Sequence, residues 1–163
     1  DSSPRELLDS EASSMSTSST LLPEPAKIQV LVERADEGNA KAQLHLASCY
    51  ATGKGVEMSS SKALQYYLMA ANQGNMNAQY AAGSYYYYGK GTKENKSKAF
   101  ELFSKAAKQG HMKAQFALGH FYQYDKDKNQ RNYKKAAEWY RKAANQGHEV
   151  AIKILQTDFD EKL

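Results

Sequence analysis

At 163 residues and a formal net charge of +4, the chain has room for one domain of ordinary size. It carries no run of about 18 apolar residues, which excludes a helical membrane span. A single cysteine, Cys49, excludes an internal disulfide framework and favours a reducing, cytoplasmic setting.

The sequence starts at Asp1 with no charged-then-apolar leader, so it reads as a fragment or processed piece without a targeting peptide. Residues 1–25 set Arg5 against Asp1, Glu6, Asp9, Glu11 and Glu24, and include the serine-rich stretch DSEASSMSTSST. This composition buries too little apolar surface to offset chain entropy. A disordered, acidic, serine-rich linker is therefore expected over 1–25, closed by Pro23 and Pro25. A repeat domain is expected over 26–163. It opens with a capping helix at 26–37, in which Leu31 and Ala35 stand 36 residues ahead of Tyr67 and Ala71.

Gly38, Gly74, Gly110 and Gly147 then mark intervals of 36, 36 and 37 residues, giving repeats 38–73, 74–109 and 110–146. The first two agree at 15 of 36 positions without a gap. A fixed period of this length marks stacked supersecondary units, none of which can bury its apolar face alone. The segment 147–160 begins like the first helix of a repeat, with Ala151 and Leu155 matching Ala114 and Leu118. It then turns acidic and polar, as a terminal cap requires.

Within the first repeat, Ala42, Leu46, Ala47 and Tyr50 recur at helical spacing, so residues near 39–52 form an amphipathic helix. Gly53 and Gly55 end it by supplying positive φ. Ser59, Ser60 and Ser61 offer N-caps for a second helix with Ala63, Tyr67, Ala70 and Ala71 on one face. The alanines return at Ala78, Ala99, Ala106 and Ala107, and at Ala114, Ala136, Ala143 and Ala144. They allow close backbone approach. Tyr50, Tyr86 and Tyr122 are expected to fill the space beside Ala47, Gly83 and Gly119, with Tyr67, Phe103 and Tyr140 as bulky knobs of the second helices. In the third turn Asp125 and Asp127 replace glycine and one residue is added, so a longer loop is expected.

The pattern A-x-x-x-L-[AG]-x-x-Y-x-x-G-x-G, then K-A-x-x-x-[YF]-x-x-A-A-x-x-G, resembles the Sel-1-like repeat, a relative of the tetratricopeptide repeat. The first repeat carries it as Ala42, Leu46, Ala47, Tyr50, Gly53, Gly55, Lys62, Ala63, Tyr67, Ala70, Ala71 and Gly74. The second departs at Ala82, where the family prefers leucine. The third keeps Ala114, Leu118, Gly119, Tyr122, Lys135, Ala136, Tyr140, Ala143, Ala144 and Gly147 but loses both turn glycines. The resemblance covers residues 27–160. It implies an all-α, right-handed α/α superhelix: a solenoid of three helix-hairpin repeats with terminal capping helices. It also implies a non-enzymatic scaffold or adaptor for protein–protein interaction, forming a regulatory part of a larger signalling or complex-assembly protein.

In such a stack the first helices line the inner, concave side. By phase, the residues not needed for packing include Ala81 and Ala117, with Tyr87 and Phe121 nearby. The expected partner-binding set is His45, Ser48, Thr52, Ser84, Tyr85, Tyr88, His120 and Tyr124. Four consecutive tyrosines, Tyr85 to Tyr88, cannot all face one core. Tyr86 is the packing member, Tyr88 is expected at the surface, and Tyr85 either joins the groove or seals adjacent repeats. Tyrosine suits a binding surface because it offers area and a hydroxyl at low entropy cost.

No cofactor or metal is expected. His45, His111, His120 and His148 form no ligand cluster, and His111 and His148 share the repeat position of Asn39 and Asn75, which points to a helix-start role. The Gly-Lys-Gly at 53–55 and 89–91 lacks the spacing of a phosphate loop and reads as a turn. Cys49 occupies the place of Tyr85 and Phe121, so a half-buried structural thiol is expected rather than a nucleophile. The triplet Asn95-Lys96-Ser97 is a glycosylation sequon that matters only in a secreted protein. Between Lys90 and Lys142, 14 basic residues face 5 acidic ones. That excess is either a solvated surface or an attraction for an acidic partner. The expected partner is another protein or peptide. A basic surface for nucleic acid or anionic lipid is the alternative, and self-association a further option.

Overall fold

Each repeat must bring two short helices close enough for alanine-sized contacts, and its local chemistry does so the same way each time. In the computed structural model, which describes residues 24–124, 131–157 and 159, the chain forms α1 (Glu24–Asp36), α2 (Ala40–Thr52), α3 (Ser60–Asn72), α4 (Met76–Tyr88), α5 (Lys96–Lys108), α6 (Met112–Gln123), α7 (Tyr133–Asn145) and α8 (Glu149–Thr157). Among the described residues there is no β-strand. No helix among them is long and apolar enough to cross a membrane. The acidic linker expected over 1–25 lies almost wholly outside the described residues. So do positions 125–130 of the third turn. Pro25, expected to close the linker, instead sits in the first turn of α1, where its missing N–H costs nothing.

Side-chain caps start the helices. The side chains of Asn39, Asn75 and His111 accept from the backbone N–H three residues on and open α2, α4 and α6. Ser59, Asn95 and Asn132 do the same for α3, α5 and α7. Asn95, the asparagine of the sequon, is thus an N-cap. Helices α2 and α4 end on Gly53 and Gly89, at φ 75° and 65°, a conformation that glycine adopts without steric cost. Helix α6 ends on Tyr124 at φ −116° without a left-handed residue.

Every helix packs chiefly on the one before and the one after it, so the stack is an all-α solenoid. Its core is thin and rich in alanine: Ala35, Ala63, Ala70, Ala78, Ala99, Ala106, Ala114, Ala136 and Ala143 are fully buried. The aromatic that fills the space beside the small residue of each first helix comes from the second helix. A Cβ at Gly83 would stand 2.8 Å from Phe103, and one at Gly119 would stand 2.5 Å from Tyr140. This corrects the expectation that Tyr86 and Tyr122 fill that space. Those tyrosines, with Tyr50, instead lie under the lysine that opens the second helix. Lys62, Lys98 and Lys135 stand 5.2, 5.1 and 5.4 Å from the ring centres of Tyr50, Tyr86 and Tyr122, within cation–π range.

The C-terminal end is less polar than its sequence suggests. Phe159 is buried, its ring centre 5.9 Å from that of Tyr140 and 6.4 Å from that of Tyr133. It closes the last apolar cluster, shared with Ala137 and Ala151. Cys49 is more buried than half: it is 4% exposed, and that burial pushes its thiol pKa up, with Lys54 pulling weakly the other way. A thiol held protonated is a poor nucleophile.

A polar ladder crosses this apolar stack. Gln43, Gln79 and Gln115 occupy one repeat position and are buried. Each donates Nε2 backward to a carbonyl near the end of the preceding second helix, at Ala35 (3.0 Å), Ala71 (3.3 Å) and Ala107 (3.2 Å). Each also accepts at Oε1, at 2.8 Å, from the glutamine that caps the following second helix: Gln73, Gln109 and Gln146. Replacing Gln79 with leucine removes both bonds while keeping most of the volume. Losing buried bonds of this kind costs about 1–3 kcal/mol, so urea unfolding of Gln79→Leu is expected to show a loss of that size. Gln65→Leu, at an exposed position, is expected to stay within about 0.5 kcal/mol of the parent.

Candidate functional site

The first helices supply most of the groove, through partly buried side chains that pack on the core and also reach its surface. Between α4 and α6 lies a groove of about 460 Å³. Helix α4 supplies Tyr80, Ser84, Tyr87 and Tyr88, and α6 supplies Lys113, Phe116, Ala117, His120 and Phe121; Phe103 and His148 complete the wall. None of these residues is acidic.

The aromatic wall is braced. The Tyr87 ring meets Phe121 edge-on at 5.7 Å and Tyr88 at 5.0 Å, in geometries that favour aromatic pairs. Lys96 sits 5.2 Å over Tyr87, and Lys90 sits 5.8 Å over Tyr88. The floor is tied to the repeat framework: Tyr80 stacks on the capping imidazole of His111 at 4.5 Å, and Phe116 on that of His148 at 4.3 Å. The Ser84 hydroxyl donates to the Tyr80 carbonyl at 3.1 Å. Tyr88 is 68% exposed, so its ring is available for contact.

Of the eight residues expected to bind a partner, the structure brings Ser84, Tyr88 and His120 together in this groove. Tyr124 is exposed beside it, 4.7 Å from the His120 ring. His45, Ser48 and Thr52 lie exposed on α2, one repeat away and outside the groove lining. The Thr52 hydroxyl donates to the Ser48 carbonyl. Tyr85 takes the sealing role: it is partly buried, edge-on to Tyr67 at 5.4 Å, with its hydroxyl pKa raised by burial. Sequence reasoning missed Tyr80, Phe116, Lys113 and His148. A stripe with four-residue steps, 80–84–88 and 116–120–124, would have found the first two, because side chains four apart share a helix face. No group of His, Cys, Asp or Glu among the described residues is arranged to hold a metal.

The Sel1 repeat family model matches residues 40–75, 77–111 and 113–148. The chain belongs to the Sel1 repeat family. Its fold is similar to that of a Sel1 repeat protein from Oxalobacter formigenes, at 37% identity and a TM-score of 0.65 over 71% of this chain and 47% of that one. It is also similar to a protective antigen with an SLR fold from uropathogenic Escherichia coli, at 29% identity and a TM-score of 0.73 over 82% and 30%. A third likeness is to cysteine-rich protein B of Helicobacter pylori, at 25% identity and a TM-score of 0.59 over 81% and 94%. The chain thus spans about half the length of the first of these structures and under a third of the second. No curated protein matches the chain by sequence. Sel1 repeat proteins are generally protein-interaction scaffolds.

In these Sel1 repeats the His111 cap adds a pH dependence that the asparagine caps lack. His111 accepts the Ala114 N–H at Nδ1, 3.2 Å away, and that nitrogen accepts only while unprotonated. Burial lowers the His111 pKa below its ordinary 6.5, with Lys113 adding to the effect. The unfolded chain therefore binds more protons in the window below about 6.5, and stability falls as pH drops through that value toward the lowered folded one. His111→Asn, which restores the cap of the preceding repeat, is expected to flatten this part of the profile. Thermal melts of both proteins between pH 7.5 and pH 5 check it, and parallel profiles would refute the assignment.

Proposed function

We propose that this chain is a protein-binding scaffold whose contact surface is the aromatic groove between α4 and α6, acting as a regulatory or assembly module of a larger protein. The observation that carries this reading is a set of rings that line one groove of about 460 Å³ while braced on the core: Tyr80 and Tyr87 on the Phe103 cluster, Phe116 on the Tyr140 cluster, and exposed Tyr88 beside them. Buried aromatic anchors supply most of the energy in protein interfaces. Rings already held by neighbours lose little freedom on binding.

Two groove residues can be removed without touching the core, since Tyr88 and His120 are both exposed. The Tyr88→Ala, His120→Ala double variant is expected to weaken partner binding by about 1–3 kcal/mol and to leave the far-ultraviolet circular dichroism spectrum unchanged. Titration calorimetry against a captured partner reads the first quantity. If partner affinity is the same for both proteins, the contact surface lies elsewhere on the solenoid.

A further inference from the structure

Resting on that groove, we propose its occupant: an acidic peptide segment of a partner protein, with carboxylates flanking an apolar or aromatic side chain. The first helices read AKAQLHLASCYAT, MNAQYAAGSYYYY and MKAQFALGHFYQ, without one aspartate or glutamate. The charged side chain in the groove wall is Lys113, with the imidazoles of His120 and His148 beside it. The lysines that brace the rings, Lys90 and Lys96, bring two more ammonium groups to the rim. Lysine charge reaches the two imidazoles here: Lys113 acts on His111 and Lys96 on His120. Among the described residues, exposed Glu94 lies 3.6 Å from the Lys96 ammonium, and exposed Glu149 is next in sequence to His148.

A ligand entering here therefore meets aromatic walls, N–H and O–H donors, and positive charge. Carboxylates on either side of a ring or branched aliphatic group complement all three, and opposite charge steers the encounter. A nucleic acid duplex or a membrane surface asks for a broad face of solvated cations. Here Lys90 and Lys96 instead lie over the rings of Tyr88 and Tyr87 beside the groove.

Selection of peptides from a random dodecamer library on the immobilised chain tests this. The selected sequences are expected to carry a net negative charge and at least one aromatic or branched aliphatic residue. By fluorescence anisotropy, Lys113→Glu is expected to weaken a selected peptide about tenfold. Lys105→Glu, the same charge change at an exposed position on α5, is expected to leave it unchanged. Neutral or basic peptides that bind the parent and are lost in the Tyr88→Ala, His120→Ala variant would overturn the acidic occupant while leaving the groove reading intact. Acidic peptides that ignore Lys113→Glu, or that weaken equally with Lys105→Glu, would also overturn it. If no peptide is enriched, the acidic-peptide occupant is overturned, and the groove reading is decided by the partner titration of the Tyr88→Ala, His120→Ala variant. If a single-stranded oligonucleotide or phosphatidylserine vesicles bind with the same Lys113 dependence while acidic peptides do not, the anionic ligand is of a different class and the proposal is wrong.

Discussion

A carboxamide buried between three helices sets the register of the whole stack. Gln79 reaches back to the Ala71 carbonyl at the end of α3 and receives the Gln109 amide from the end of α5, so one side chain fixes α4 against both neighbours. Gln43 and Gln115 repeat the arrangement at either side. An alanine-lined interface by itself specifies little, because methyl groups slide past one another at small cost. A buried amide is different, since a shift of one turn leaves its donor and acceptor without partners in a low-dielectric interior. The apolar contacts supply cohesion, and the glutamines select one alignment among those that apolar contacts alone would allow.

Close approach follows from that alignment and explains the small residues. With the helices held at one depth, the ring of Phe103 or Tyr140 has to lie flat against the first helix, where only a hydrogen fits at Gly83 and Gly119. The first repeat has Ala47 at this place, in one buried cluster with Tyr67. The turn glycines obey the same logic at the far end of the hairpin. A Cβ on Gly91 would fall 2.5 Å from the backbone of Ser60 and Ser61, which makes the turn of one repeat a tight fit against the helix start of the repeat before it.

Much of this is legible in the sequence, and what escapes does so for definable reasons. The period, the alanine positions and the helix starts can be read because they depend on local spacing. The shared repeat position of His111, His148, Asn39 and Asn75 discloses a cap through spacing alone. The glutamines recur in perfect phase too. Glutamine is usually exposed, so the phase alone discloses no buried role, and only three-dimensional stacking reveals that its partners come from about 30 residues away. The pairing of Lys62 with Tyr50 is similarly hidden: both residues belong to the repeat pattern, but nothing one-dimensional says that they touch. The groove is half legible. Phase along the first helix picks out Ser84 and Tyr88, whereas the four-residue stripe that begins at Tyr80 and Phe116 carries the wall.

The contrast between scaffold and groove positions also says how such a chain acquires specificity. At the scaffold positions the three repeats hold nearly the same residues, because the ladder and the close contacts tolerate little else. Along the outward stripe they diverge: Leu44, Ser48 and Thr52 on α2, Tyr80, Ser84 and Tyr88 on α4, Phe116, His120 and Tyr124 on α6. Aromatic surface therefore rises along the stack while its geometry stays constant. The rings that result are also tethered, Tyr80 on the His111 cap and Phe116 on the His148 cap. Each ring thus rests on an imidazole that caps a following helix. Under the proposed scaffold reading, this bracing leaves less conformational entropy to be lost when a partner arrives.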